Sequence, residues 1–224
     1  MLGDIGACVF DAYGTLFDVH APVSRVAGEL GDQADSISRL WRDKQLQYTW
    51  LRSLMGAHAD FAQVTADALD YALAAHGVNN SSVRARLLEL YRTLDAYGDA
   101  APCLTQLKAS GMATAILSNG APDMLAAATE TAGLAPLLDG VLSVEEVGIY
   151  KPDRRVYRLA VDRLGVAPDR ICFVSTNPWD ASGAAHFGLR VARLDRFSVP
   201  PDNLPGEIAA TITTLDELPE LVGA

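Results

Sequence analysis

Nothing in this 224-residue chain approaches the roughly 18 consecutive apolar residues that a membrane-spanning helix requires. The first residues have neither the basic start nor the long apolar core of a secretory signal, so a cytoplasmic location and no membrane partner are expected. Positive charge is scarce: 18 Lys and Arg stand against 28 Asp and Glu, for a formal net charge of -10. With no long basic cluster to offset this, nucleic acid is excluded as an expected partner. A small anionic substrate stays compatible, because a few cations inside a pocket outweigh a distant, screened negative surface. Cysteine is limited to Cys8, Cys103 and Cys172, with no CxxC pair. Two of them fall within apolar runs, which predicts buried free thiols. GxGxxG, Walker-type, HExxH and GxSxG patterns are all missing, so dinucleotide binding and serine hydrolysis lose their usual signatures. There is no internal repeat, and Asn79-Asn80-Ser81-Ser82 reads as a polar loop.

Apolar residues, by contrast, make up 50% of the chain, enough for a sizeable core in one large domain or two unequal ones. The run from Ile5 to Phe10 reads as a central strand of a parallel sheet, although its periodicity also allows a buried helix. It stops at Asp11, and Gly14 breaks the pattern. Ligands of open α/β sheets bind outside the carboxyl ends of the strands, which places Asp11 for chemistry. An aspartate there equally suits a helix cap or a turn. From Thr15 to about Met112 the period is helical: Ile37, Leu40, Trp41, Leu51 and Leu54 recur at helical spacing, and residues 61–75 and 83–94 behave likewise. Trp41, Tyr48 and Trp50 read as packing residues, whereas Arg42 suits either a site or solvent.

Beyond Met112, strands and helices alternate, as in βαβ units. Strands are predicted over 112–117, 141–143, 171–174, 189–194 and 210–213. Helices are predicted from about 122 and over 156–164, 181–187 and 215–222. Two of the strands end in Ser118-Asn119-Gly120 and in Ser175-Thr176-Asn177-Pro178-Trp179-Asp180. Lys151 precedes a helix, where a cation opposes the helix dipole, so stability alone does not select it.

Asp11-x-x-x-Thr15, Ser118, Lys151 and Asp180, in that order on those elements, resemble the four motifs of the haloacid dehalogenase superfamily across nearly the whole chain. The resemblance implies an α/β fold, with a Rossmann-like parallel-sheet core from residues 1–18 and 98–224 and a helical cap inserted over 19–97. Most of that superfamily transfers phosphoryl groups with magnesium and carries a second aspartate two residues after the nucleophile. This chain has Tyr13 there and a single Asp180 in the last motif, a thin set of hard ligands for magnesium. The departures, together with Leu40-Trp41-Arg42, the stretch Tyr48 to Met55 and Tyr150-Lys151-Pro152-Asp153, look closely similar to the L-2-haloacid dehalogenase branch. That branch replaces a halogen beside a carboxylate with hydroxyl, through an aspartyl ester, without metal or cofactor.

On those terms Asp11 is the nucleophile, Lys151 its counter-charge and Thr15 a hydrogen-bond donor to it. Ser118 and backbone N–H groups following Asp11, at Ala12, receive the substrate carboxylate. Arg42 and Asn119 cradle the departing halide, while Tyr13, Leu46, Phe61 and Trp179 wall the halogen. Asp180 serves as base for ester hydrolysis, oriented by Lys151 and Asn177. Ser175 supports that network, and Tyr157 fixes Lys151 or the substrate carboxylate. Ser175, Asn177 and Tyr157 also suit purely structural loop and cap roles. Asp43 stands where the branch commonly has an uncharged polar residue. The resemblance implies a homodimer through the insert helices. The alternatives are a magnesium-dependent phosphatase that has drifted at Tyr13 and a catalytically inactive interaction domain.

Overall fold

The computed structural model describes residues 1–224. Six strands, β1 (Ala7–Phe10), β2 (Ala113–Ser118), β3 (Gly140–Ser143), β4 (Ile171–Ser175), β5 (Arg190–Leu194) and β6 (Ala210–Ile212), form one parallel sheet ordered β3-β2-β1-β4-β5-β6. Strand β1 is central, with Phe10 level with Ile116 of β2 and Val174 of β4. Every residue of β1 and β4 is buried, which is why both read as uninterrupted apolar runs rather than alternating ones. Truncating a side chain such as Phe173 here would cost about 3–5 kcal/mol. The order places the crevice beside the carboxyl end of β1, where the connections leave toward opposite sides of the sheet.

Ten helices complete the chain: α1 (Ala21–Arg25), α2 (Ala27–Leu30), α3 (Ala34–Met55), α4 (Phe61–Ala75), α5 (Ser81–Arg92), α6 (Ala100–Ala109), α7 (Pro122–Thr131), α8 (Arg154–Leu164), α9 (Pro178–Phe187) and α10 (Leu218–Val222). The helical period read across residues 15–112 resolves into α1 to α6. At five and four residues, α1 and α2 are too short to show a period of their own. Asp60 starts α4 by accepting the Gln63 N–H at 2.8 Å, and Asn80 starts α5 by accepting from Ser82 and Val83. The polar tetrad at 79–82 is thus a helix start.

Helices α1 to α5 all lie in sequence between β1 and α6. The chain leaves and returns through an antiparallel stem, where the Asp18 N–H donates to the Asp95 carbonyl and the Tyr97 N–H to the Leu16 carbonyl, both at 2.9 Å. Helices α3 and α4 pack along each other, pinned by the Trp41 indole N–H on the Thr65 carbonyl at 2.9 Å. Cys8 and Cys172 are level on neighbouring strands and Cys103 lies in α6; all three are buried free thiols. No helix is long and apolar enough to cross a membrane.

Candidate active site

The carboxyl ends of β1, β2 and β4 bring Asp11, Ser118 and Ser175 to one crevice. The segment ahead of α8 adds Lys151, and the first turn of α9 adds Asp180. Lys151 joins the two carboxylates: its Nζ donates to Asp11 Oδ1 at 3.1 Å and to Asp180 Oδ2 at 2.7 Å, with its side chain only 1% exposed. An ammonium therefore fills the place between two buried carboxylates, and no three His, Cys, Asp or Glu side chains converge as ligands for a cation. Burial alone would push the Lys151 pKa down, but the Asp11 and Asp180 charges and hydrogen bonds overcome it and hold Lys151 above its ordinary value.

The two oxygens of Asp11 are unequal. Oδ2 accepts from Asn177 Nδ2 at 2.8 Å, from the Thr15 hydroxyl at 3.1 Å and, at 3.5 Å, from Ser175. Oδ1 has only Lys151, which leaves it the oxygen with a free lone pair. The Thr15 hydroxyl is itself oriented, since it accepts the Thr176 N–H at 2.9 Å. The Ala12 N–H donates to no group of the protein. Likewise the Ser118 hydroxyl accepts from the Gly120 N–H at 3.0 Å and donates to nothing. Asn119 is tied through Oδ1 to the Lys151 N–H at 3.1 Å, with its amide N–H groups unused. These are unspent donors around an anionic oxygen. Gly120 permits the approach, because a Cβ there would lie 2.7 Å from the Tyr13 ring.

Asp180 is fully buried, with Oδ1 accepting the Tyr157 hydroxyl at 2.7 Å and Oδ2 accepting from Ser175 at 3.2 Å besides Lys151. Burial raises its pKa to about 6; Lys151 pulls it back down and the Asp11 charge pushes it up. Tyr157 is held well above its ordinary value by burial and then by the Asp180 charge, so it is a neutral donor. Two expectations are corrected here. Of the two partners expected for Tyr157, Lys151 or the substrate carboxylate, Lys151 is not the one it meets: its hydroxyl goes to Asp180, an approach allowed because Gly183 has no Cβ, which would meet the hydroxyl at 2.6 Å. The Asn177 amide serves Asp11, not Asp180, which Asn177 touches only through the backbone.

Arg42 reaches the crevice from α3. Its Nη2 lies 3.3 Å from the Tyr13 carbonyl and 3.4 Å from Asn177 Oδ1, its Nη1 donates to Gln45 Oε1 at 2.8 Å, and it forms no ion pair. Tyr13 is buried against Phe61 and Tyr91, with ring centroids 5.2 and 5.6 Å away. Trp179 meets Trp50 edge-on, so Trp50 joins α3 to the start of α9, whereas Trp41 lies in the core as expected of a packing residue. Leu46 follows Arg42 by one turn and is half-buried, and Asp43 is exposed. Gln45 and Tyr91 escaped the sequence reading; the signal for Gln45 was polar character on the buried ridge Ile37, Trp41, Gln45, Thr49 of α3, while Tyr91 lies on α5.

Residues 5–188 match the family model of haloacid dehalogenase-like hydrolases. The chain is 47% identical over 219 residues to (S)-2-haloacid dehalogenase 1 of Pseudomonas sp. (strain CBS-3), covering 97% of this chain and 96% of that one. It superimposes with a TM-score of 0.90 on L-2-haloacid dehalogenase from Xanthobacter autotrophicus with chloropropionic acid covalently bound, at 38% identity and covering 97% and 98% of the two chains. A crystal structure of a dehalogenase with an intermediate complex gives a TM-score of 0.98 at 44% identity, with both chains covered in full.

Proposed function

Because this chain belongs to the haloacid dehalogenase-like hydrolases, and within them to the (S)-2-haloacid dehalogenases, we propose that the crevice around Asp11 converts (S)-2-haloacids to (R)-2-hydroxyacids. The observation that carries the reading is the lysine-bridged carboxylate pair, in which one acid has an oxygen with a free lone pair and the other a pKa raised to about 6.

In the first half-reaction Asp11 Oδ1 attacks C2 of the haloacid from the side opposite the halogen. The new C–O bond forms as the carbon–halogen bond breaks, its electron pair leaves on the halide, and C2 inverts. A carboxylate is a poor nucleophile in water; holding it in line, with Oδ2 fixed by Thr15 and Asn177, supplies up to about 7–11 kcal/mol of the barrier. The unspent donors at Ala12 and Ser118 orient the substrate carboxylate. Arg42 and the Asn119 amide face the charge that grows on the halogen, and donors preset for developing charge lower a barrier most effectively. Tyr13, Leu46, Phe61 and Trp179 exclude water beside it.

In the second half-reaction water attacks the Asp11 carboxyl carbon while Asp180 takes its proton, and Tyr157, Ser175 and Lys151 keep Asp180 in place. The ester bond breaks at that carbon, so the product keeps an oxygen from Asp11 and Asp11 gains one from water. One proton of the water ends on the product hydroxyl and the other passes through Asp180 to solvent. Lys151 supplies the positive charge beside Asp11, and the reaction runs without a metal. Residues 19–97 act as a cap that delivers Arg42 and closes over the core. Location in the cytoplasm belongs to the same reading. So does a homodimer through α3 and α4, supported by the exposed Leu51, Leu54, Met55 and Tyr71 on those helices.

The test is halide release from (S)-2-chloropropionate with excess chelator present, followed by chiral separation of the lactate. The (R) product at an undiminished rate is expected. Racemic or (S)-lactate would rule out the single displacement, and loss of activity restored by magnesium would favour phosphoryl chemistry.

A further inference from the structure

Arg42 is a long, flexible cation close to an anionic nucleophile, yet it forms no ion pair with Asp11 or any other acid. Left to Coulomb attraction, it would fold onto Asp11 and neutralise the group that must attack. What holds it away is Gln45, one helical turn along α3 and 1% exposed. The amide oxygen of Gln45 accepts from Arg42 Nη1 at 2.8 Å and from the Tyr91 hydroxyl at 3.1 Å, and its Nε2 donates to Thr65 Oγ1 at 2.7 Å. Tyr91 and Thr65 are buried, on α5 and α4. With two donors facing its oxygen, the amide has one orientation available; reversed, its NH₂ would confront the guanidinium. The tie at 2.8 Å to Gln45 is shorter than the 3.3 and 3.4 Å contacts to Tyr13 and Asn177, so Nη2 is the end free to rebind onto an anion.

We propose that Gln45, locked by Tyr91 and Thr65, is a positioning residue for the carbon–halogen cleavage step: it aims Arg42 at the leaving halide and keeps it off Asp11. This rests on the dehalogenase reading above and adds a demand specific to one half-reaction. The halide has departed before the ester is hydrolysed, so loosening Arg42 slows alkylation and spares hydrolysis. The chloride, a poorer leaving group than bromide, also suffers more.

The experiment is rapid-quench mass spectrometry of wild type, Gln45→Met, Gln45→Glu and Tyr91→Phe with chloroacetate and bromoacetate, following formation and decay of the adduct on Asp11. Gln45→Met is expected to slow alkylation by tenfold or more, widen the bromide-to-chloride rate ratio severalfold and change adduct decay by less than twofold. Gln45→Glu keeps the shape and the acceptor for Arg42 and Tyr91, loses the N–H donated to Thr65, and gives Arg42 a carboxylate partner; it should lose more and weaken product inhibition by bromide. Tyr91→Phe removes one hydroxyl from an otherwise intact packing site, so it carries the test if Gln45→Met fails to fold, with a smaller loss in the same step. Gln47→Met, exposed on the same helix, is the control. Equal loss in both half-reactions, or an unchanged bromide-to-chloride ratio, would reduce Gln45 to a support of the cap and overturn the inference. Absence of halide release from the wild type would instead overturn the function itself.

Discussion

Replacing Asp11 with Asn imitates what esterification does to the site, since both remove the negative charge on one side of Lys151 while keeping the shape. The Asp180 carboxylate should then titrate at lower pH. In the free enzyme its pKa is raised to about 6 by burial first, with Lys151 opposing and the Asp11 charge adding to the rise. Both carboxylates touch the same ammonium, which places them within about 6 Å of each other. At an effective dielectric of about 20, two unit charges at that separation repel by about 3 kcal/mol, or about two pH units. Asp11→Asn should therefore lower the Asp180 midpoint clearly below about 6. Carbon-13 NMR of labelled aspartate, comparing wild type with Asp11→Asn between pH 3 and 8, reads the midpoint directly. The consequence for turnover is that alkylation itself prepares the base: once Asp11 is an ester, Asp180 ionises more readily when water must be activated. Adduct hydrolysis in the wild type should accordingly hold its rate to below about pH 6 and fall tenfold per pH unit below its midpoint. A midpoint in Asp11→Asn that stays near 6 or moves up would refute this coupling.

Arg42→Ala should slow halide release by about 100-fold, the scale of losing one donor to developing charge. Arg52→Ala should change it little, because the Arg52 guanidinium is paired with Asp67 at 2.9 Å. Relative to its own stability at pH 4, Asp180→Asn should lose less than wild type on going to pH 7, by up to about 3 kcal/mol. The sign follows from the raised pKa: ionising Asp180 penalises the folded chain increasingly as pH climbs from its ordinary value through about 6, so the difference should open only above about pH 4 in a calorimetric series. Leu54→Glu places a charge in the exposed stripe of α3; under the proposed homodimer, sedimentation velocity should show a dimer for wild type and monomers for the variant, with the circular dichroism spectrum unchanged.

Most of the frame was legible because parallel strands buried on both faces must be apolar throughout. The runs ending at Asp11, Ser118 and Ser175 therefore declared both the strand and the residue at its carboxyl end. Lys151 was legible through its conflict with the helix dipole, a conflict resolved because its ammonium turns to Asp11 and Asp180 instead. Pairings across long sequence separations were not legible. Whether Tyr157 meets Lys151 or Asp180, 23 residues on, depends on how α8 crosses α9 and on the missing Cβ of Gly183. The amide of Asn177 turning to Asp11 depends on the Thr15–Thr176 hydrogen bond that draws the two loops together. Gln45 was hidden for a different reason: a buried polar residue on a helix ridge gives no sign of its partner until Tyr91 and Thr65, from two other helices, are brought against it.

The central claim is that Asp11 itself becomes the ester. One turnover in heavy-oxygen water tests it directly, with enzyme in excess over (S)-2-chloropropionate and both the lactate and the Asp11 peptide weighed by mass spectrometry. The first lactate should carry ordinary oxygen, and the heavy atom should appear in the peptide containing Asp11. Heavy oxygen in that first lactate, with an unlabelled peptide, would mean that water attacks C2 directly and that Asp11 is a base or a structural residue.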